Sequence, residues 1–180
     1  MLRFGLLVLI LLSPLAARAD DPLARFGPLV SGLGAASPVA TGDFDGDGKP
    51  DAAYLVAVRP ATAGAALPHE VTVIGTLFGN KKLGNRGTPR ALAIVHGNGA
   101  LFLLTGSLGE DGDFFDTPIW NSDEPPVRTA ARGSKDFVEL RRHEPRLHND
   151  AILVGTEAGI DMALYWNGRT YALYKPPEEP

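Results

Sequence analysis

The sequence predicts an all-β protein with little helix, built as a single domain of antiparallel sheets in the manner of a β-sandwich or a partial propeller. Two observations carry this reading. Seven short runs rich in apolar, β-branched and aromatic residues are each bounded by Gly, Pro, Asn or Asp. Twenty-one glycines and fifteen prolines spread through 180 residues leave little room for long helices. The chain is of the size of one domain with its own core, and no linker divides it.

Residues 1–19 come first. A basic Arg3, an apolar run from Phe4 to Leu12, Pro14 and small residues at Ala17 and Ala19 form the pattern of a cleaved secretory signal. The apolar run is about half of the roughly 20 residues that a membrane-spanning helix needs. Export to the periplasm or the cell exterior is therefore expected, with no stable membrane insertion after cleavage. The chain has no cysteine, so an exported domain of this kind needs a full core or a bound metal for rigidity. Without residues 1–19 it keeps 15 basic against 21 acidic residues, a net charge of −6. That balance argues against nucleic acid or an anionic membrane surface as a partner.

The mature domain is expected over 20–175, with strands at 51–58, 70–78, 91–97, 100–106, 150–156, 162–166 and 170–175. Asn167-Gly168 between the last two reads as a type I′ hairpin turn, and Gly97-Asn98-Gly99 joins two other runs similarly. Residues 79–89 form a basic loop, 109–126 an acidic one, and 176–180 a frayed tail. "KPDAAYLVAV" and "HNDAILVGTE" echo each other faintly, each with an aspartate opening an apolar strand.

The most informative stretch is "GDFDGDGKPD", 42–51. Asp43, Asp45 and Asp47 occupy positions 1, 3 and 5 of a loop, Gly48 position 6, Lys49 position 7 and Asp51 position 9. Carboxylates alternating on a curled loop converge on one point and repel unless a cation sits between them. An all-oxygen set, with the Lys49 carbonyl contributing, suits Ca²⁺; magnesium demands a stricter octahedron, and zinc and copper prefer nitrogen and sulfur. An EF-hand would require a glutamate at position 12 and flanking helices. Position 12 here is Tyr54 within a strand pattern, so that class is rejected.

With the ligand at position 9 followed directly by a strand, residues 40–59 resemble the FG-GAP or VCBS-type repeat, whose signature runs D-x-[DN]-G-D-G-x-x-D. Asp43, Asp45, Asp47 and Asp51 match it, with Gly46 and Gly48 as turn glycines. The resemblance implies a calcium loop between strands. The family stacks several such repeats into a propeller, and this chain carries one and is too short for seven blades.

Other constellations read more simply as structure. "HEPRLH", His143 to His148, has one residue too many for H-E-x-x-H, and Pro145 breaks the helix that motif needs. Ser107 in "TGSLG" lacks the first glycine of a nucleophile elbow. Glu110, Asp111, Asp113 and Asp116 fit no cation loop, and Arg141, Arg142 and Arg146 read as a solvated face. Tyr165, Trp166, Tyr171 and Tyr174 read as cross-strand packing, the alternative being an exposed patch for a glycan or protein.

The functional expectation is an exported, calcium-stabilised, non-enzymatic binding module. One alternative is a small hydrolase using the metal or a nearby histidine, for which His69, His96, His143 and His148 suggest no arrangement with a nucleophile. The other is an inhibitor or assembly partner of another exported protein.

Overall fold

The computed structural model describes residues 21–33, 37–59, 66–74, 90–105, 127–155 and 162–176. Residues 1–20, Ser107, residues 79–89 and 109–126, and residues 177–180 lie outside them. The chain is an all-β domain of two sheets, neither closed into a barrel. The first contains β1 (Val30–Gly32), β2 (Ala40–Gly42), β3 (Asp51–Val58), β4 (Val71–Ile74), β5 (Arg90–Val95) and β6 (Leu101–Thr105). The second contains β7 (Val127–Ala130), β8 (Ala151–Val154), β9 (Met162–Trp166) and β10 (Tyr171–Tyr174).

The second sheet is a plain antiparallel meander, β10-β9-β8-β7. The first runs β1-β3-β5-β6-β4, with β2 also paired to β3. β1 and β2 share one edge of β3, β1 opposite Val56 to Val58 and β2 opposite Asp51 to Ala53. Within the first sheet β2, β3, β5 and β6 lie side by side and antiparallel in chain order, as β7 to β10 do, but β4 intervenes in the chain between β3 and β5. β4 departs from the antiparallel expectation, for it pairs parallel to β6 with Val71 opposite Leu101. Parallel neighbours cannot be joined by a tight hairpin, so the pairing leaves no turn signature.

Alternation places the core. Leu55, Leu92, Ile94, Leu104, Ile152, Val154, Leu164 and Tyr171 face one another between the sheets. The opposite faces are not open to water. A short 3₁₀ helix, Pro22–Phe26, lays Leu23 and Phe26 over Val56, Val58, Ala93 and Leu103 of the first sheet. Helix α1, Lys135–His143, lays Phe137 over Ala151, Leu153, Ala163 and Tyr165 of the second. This layering explains why "RALAIV" and "AILV" read as continuous apolar runs instead of alternating ones, since both faces of each strand are covered. The loop between β7 and β8 thus holds a helix the strand pattern did not anticipate. Its start carries the usual chemistry: Ser134 caps the Phe137 N–H at 3.2 Å, Asp136 lies in the first turn, and basic residues fill the last.

The 167–170 turn corrects the type I′ expectation. Trp166 pairs with Tyr171, so the loop has four residues, and among these Gly168 alone has positive φ. Asn167 does not need the left-handed conformation because its Oδ1 accepts the N–H groups of Arg169 and Thr170, both at 3.0 Å. Trp166 and Tyr174 are partly buried and Tyr165 and Tyr171 fully, so the C-terminal aromatics pack internally. Among the described residues no helix is long and apolar enough to cross a membrane.

Candidate metal centre

The acidic loop connects β2 to β3 at one end of the two-sheet sandwich. Gly42 pairs with Asp51 across the strands, so the eight residues from Asp43 to Pro50 must reverse the chain in little space. Positive φ at Gly46 (81°) and Gly48 (82°) accomplishes this. The side chains complete the curl by accepting N–H groups of their own loop. Asp43 accepts from Gly46 at 2.9 Å and Gly48 at 3.1 Å, Asp45 from Asp47 at 3.1 Å, and Asp47 from Lys49 at 2.8 Å.

The result is convergence. Asp43, Asp45 and Asp47 each offer a carboxylate oxygen within 4.8 Å of the others, a group that could hold a metal ion. Near that spacing each like-charged pair costs about 1 kcal/mol in water and about 4 kcal/mol at the dielectric of a protein surface. Among the described residues the cation nearby is the Lys49 ammonium, 3.9 Å from Asp47 Oδ2 and more than half exposed, and one screened lysine does not balance three carboxylates. The donor set fits a hard cation: all oxygen, with lone pairs left over after the loop's own hydrogen bonds.

Asp51 stands deeper. It is 2% exposed, and it falls in a second group of possible ligands with Asp45 and His96. Its Oδ2 accepts from Phe44 at 2.7 Å and Asp45 at 3.3 Å, and its Oδ1 from Gly97 at 2.8 Å. Three backbone N–H groups therefore converge on one buried carboxylate, which fastens the acidic loop to β3 and to the next hairpin. Burial pushes the Asp51 carboxyl above its usual range, and the charge of Asp45 adds to this; the Gly97 and Phe44 N–H groups and His96 oppose it.

The 96–100 hairpin turn forms the wall of the site. Gly97 approaches so closely that a Cβ there would lie 2.6 Å from Lys49 Cβ and 2.8 Å from the Pro50 carbonyl oxygen. Asn98 donates to Asp45 Oδ2 at 2.8 Å. His96, with a side chain 1% exposed, places Nδ1 3.0 Å from the same oxygen and Nε2 2.7 Å from the Tyr171 hydroxyl. Around it Phe102, Trp166 and Tyr171 pack their rings at centroid distances of 4.8, 5.5 and 5.8 Å. Burial, with the charges of Asp51 and Asp45, pushes the Tyr171 phenol well above its ordinary range and keeps it protonated.

A further contact comes from the second sheet. Asp150, just before β8, accepts the Asp43 N–H at 2.9 Å, while Asn149 crowds Gly46 closely enough that a Cβ there would meet it at 2.5 Å. The sequence marks Asp43, Asp45, Asp47, Lys49 and Asp51, and the structure adds His96, Asn98, Tyr171 and Asp150. Of these, Asp150 has a sequence signal in the strand-opening aspartate it shares with Asp51.

The remaining candidates separate from this centre. α1 ends at His143, so "HEPRLH" does not present two imidazoles from one helix. Arg142 pairs with Glu139 and Arg146 with Glu144, each at 2.7 Å. Arg141 and Arg142 line a cleft of about 410 Å³ with Arg132, Gly133, Phe137 and Val138.

Fold and site together define a two-sheet all-β protein with an acidic loop able to hold a metal ion. Compared with family models, curated proteins and solved structures, the chain matches none of them.

Proposed function

We propose that this protein is an exported β-domain stabilised by Ca²⁺ and acting as a non-enzymatic binding module for a protein or glycan. The observation that carries the reading is the approach of the Asp43, Asp45 and Asp47 carboxylates to within 4.8 Å of one another on a loop that, among the described residues, has one lysine beside it. The ion takes these three carboxylates and the Lys49 carbonyl, with Asp51 at the position from which calcium loops often reach the ion through water. The resemblance of residues 40–59 to the FG-GAP and VCBS-type loop supports calcium over other cations, and the N-terminal signal pattern supports export.

The ion's role is structural. It neutralises the loop at the point where β2, β3, the 96–100 hairpin and Asp150 meet, and so fixes the surface at that end of the sandwich. The hydrolase alternative finds no support at His96: the ring contacts an aspartate and a tyrosine but is enclosed, and the cleft at Arg132 and Arg141 is lined by other residues.

Thermal melts of the mature protein with calcium and with chelator test the reading. Affinity on the order of 0.1–1 mM is expected for an extracellular module. At ten times Kd the ion adds about 1.4 kcal/mol, which raises Tm by about 3–5 °C in a domain of this size. An unchanged melt, or an equal rise with magnesium, overturns the calcium assignment.

A further inference from the structure

The contacts of Asp45 extend beyond its loop. Its Oδ2 receives two side-chain donors from the adjacent hairpin, Asn98 Nδ2 at 2.8 Å and His96 Nδ1 at 3.0 Å. A carboxylate oxygen has two lone pairs, so Oδ2 is filled. Among the described residues Oδ1 accepts the Asp47 N–H alone, at 3.1 Å, and keeps one lone pair. Asp45 can therefore give a cation one oxygen, in one direction.

The His96 ring is fixed in turn. A carboxylate only accepts, so Nδ1 carries a proton toward Asp45, and in the neutral ring Nε2 accepts from the Tyr171 hydroxyl at 2.7 Å. Phe102 and Trp166 pack against the ring and prevent it from turning. Tyr171 belongs to the second sheet and His96 follows β5 of the first, so the relay crosses the sandwich.

We propose that His96 is a positioning residue for the cation, holding Asp45 through Nδ1 while Tyr171 of the facing sheet holds His96 through Nε2. This rests on the calcium reading above. Metal-ligating side chains are commonly oriented in this way by partners outside the coordination shell, and here the partner makes cation affinity depend on the seating of the second sheet.

The two ring nitrogens allow the role to be separated from mere core packing. His96→Asn keeps a donor near the Nδ1 position and loses the Tyr171 contact. His96→Gln keeps a polar group near Nε2 and loses the donor to Asp45. Calcium affinity is measured by titration calorimetry, and independently by terbium luminescence sensitised by Trp166, whose ring lies 5.5 Å from His96. Melts in chelator record the ion-free stability of each variant.

H96N, which keeps a donor to Asp45 but loses the hold of Tyr171, is expected to bind calcium more weakly than wild type, and H96Q, which loses the donor itself, more weakly still, about 10- to 100-fold below wild type, whatever their ion-free melts. Equal affinities for the two overturn the proposal. If neither folds, Tyr171→Phe decides, because it keeps the ring packing and removes only the hydroxyl that orients His96: weakened binding supports the relay, and an unchanged Kd overturns it. A wild-type protein that binds neither ion removes the calcium reading and this proposal together. A wild type that binds, beside variants that bind equally, removes the positioning role alone.

Discussion

Asp150 accepts the backbone N–H of Asp43 through Oδ2 at 2.9 Å and that of Arg132 through Oδ1 at 2.6 Å. One carboxylate at the head of the second sheet thus holds the first residue of the acidic loop and the end of β7. Beside it Thr129 Oγ1 donates to the Thr41 carbonyl at 2.8 Å, joining β7 to β2. The acidic loop is consequently a seam between the sheets.

Asp150→Ala leaves both N–H donors without their acceptor. The Asp43 donor is partly buried and orphaning it costs about 1–3 kcal/mol, whereas the Arg132 donor is exposed and can turn to water, so a loss of about 1–3 kcal/mol is expected in urea denaturation. Asp150→Asn keeps one acceptor oxygen and should lose about half as much. If calcium acts at this seam, D150A also shrinks the difference between melts with calcium and with chelator. A wild-type calcium increment in D150A would show that the loop binds its ion independently of the second sheet.

Asp51 offers a different test, because it has two possible occupations. As a fastener it accepts three backbone N–H groups; as a ligand it contributes to the ion. Asp51→Asn turns an amide donor toward at least one of those N–H groups, at an expected cost of about 2–3 kcal/mol. The decisive comparison is made in chelator. A fastener loses its stability there too, whereas a residue acting only as a ligand would leave the ion-free melt unchanged.

Two glycines of the site are needed for different reasons, and alanine substitutions separate them. Gly48 has φ of 82° with nothing within 4 Å of an added Cβ, so G48A meets only the backbone cost of about 1–2 kcal/mol. Gly97 has no such constraint on φ, but an added Cβ would collide with Lys49 and the Pro50 carbonyl. G97A must push the hairpin away from the loop and stretch the Gly97–Asp51 hydrogen bond, an overpacking cost of about 1–3 kcal/mol. G97A is therefore expected to weaken calcium binding in proportion to its instability. Equal calcium affinities in the two variants would dissociate the hairpin from the site.

How much of this was legible follows from the range of each interaction. β3 and β9 match their expected bounds, Asp51–Val58 and Met162–Trp166, because a short apolar run between turn residues specifies a strand locally. The loop carboxylates were legible because Asp43, Asp45 and Asp47 build their cluster within five residues. His96 was not: its partners Asp45 and Tyr171 are 51 and 75 residues away, and a lone histidine after an apolar strand carries no sign of either. α1 was missed for another reason. Its nine residues are capped by Ser134, with Asp136 in the first turn, yet they anchor through one buried side chain, Phe137, which leaves little apolar periodicity to detect.

Glu144, at the end of α1, supplies a pH prediction away from the acidic loop. Its N–H caps the Leu140 carbonyl at 2.8 Å, and its carboxylate takes Arg146 Nε at 2.8 Å and Nη2 at 2.7 Å. The Arg146 guanidinium holds the Glu144 carboxyl at about 2, below its usual 4.5, against the opposing effect of burial. A carboxyl depressed on folding gives stability that is fully present above the unfolded value of 4.5 and is lost as pH falls through the folded value of about 2. The pair's solvent-facing end at Arg146, 73% exposed, screens the interaction, so about 1–2 kcal/mol is expected to disappear across that window. Because other carboxylates titrate nearby, the measurement is the difference between wild type and Glu144→Gln in urea midpoints from neutral pH down to about pH 3. The two curves should be separated above pH 4.5 and converge below it. Curves that stay parallel would mean that the Glu144–Arg146 pair contributes equally whether or not it is ionised, and would remove the charge from the account of how this helix end is held.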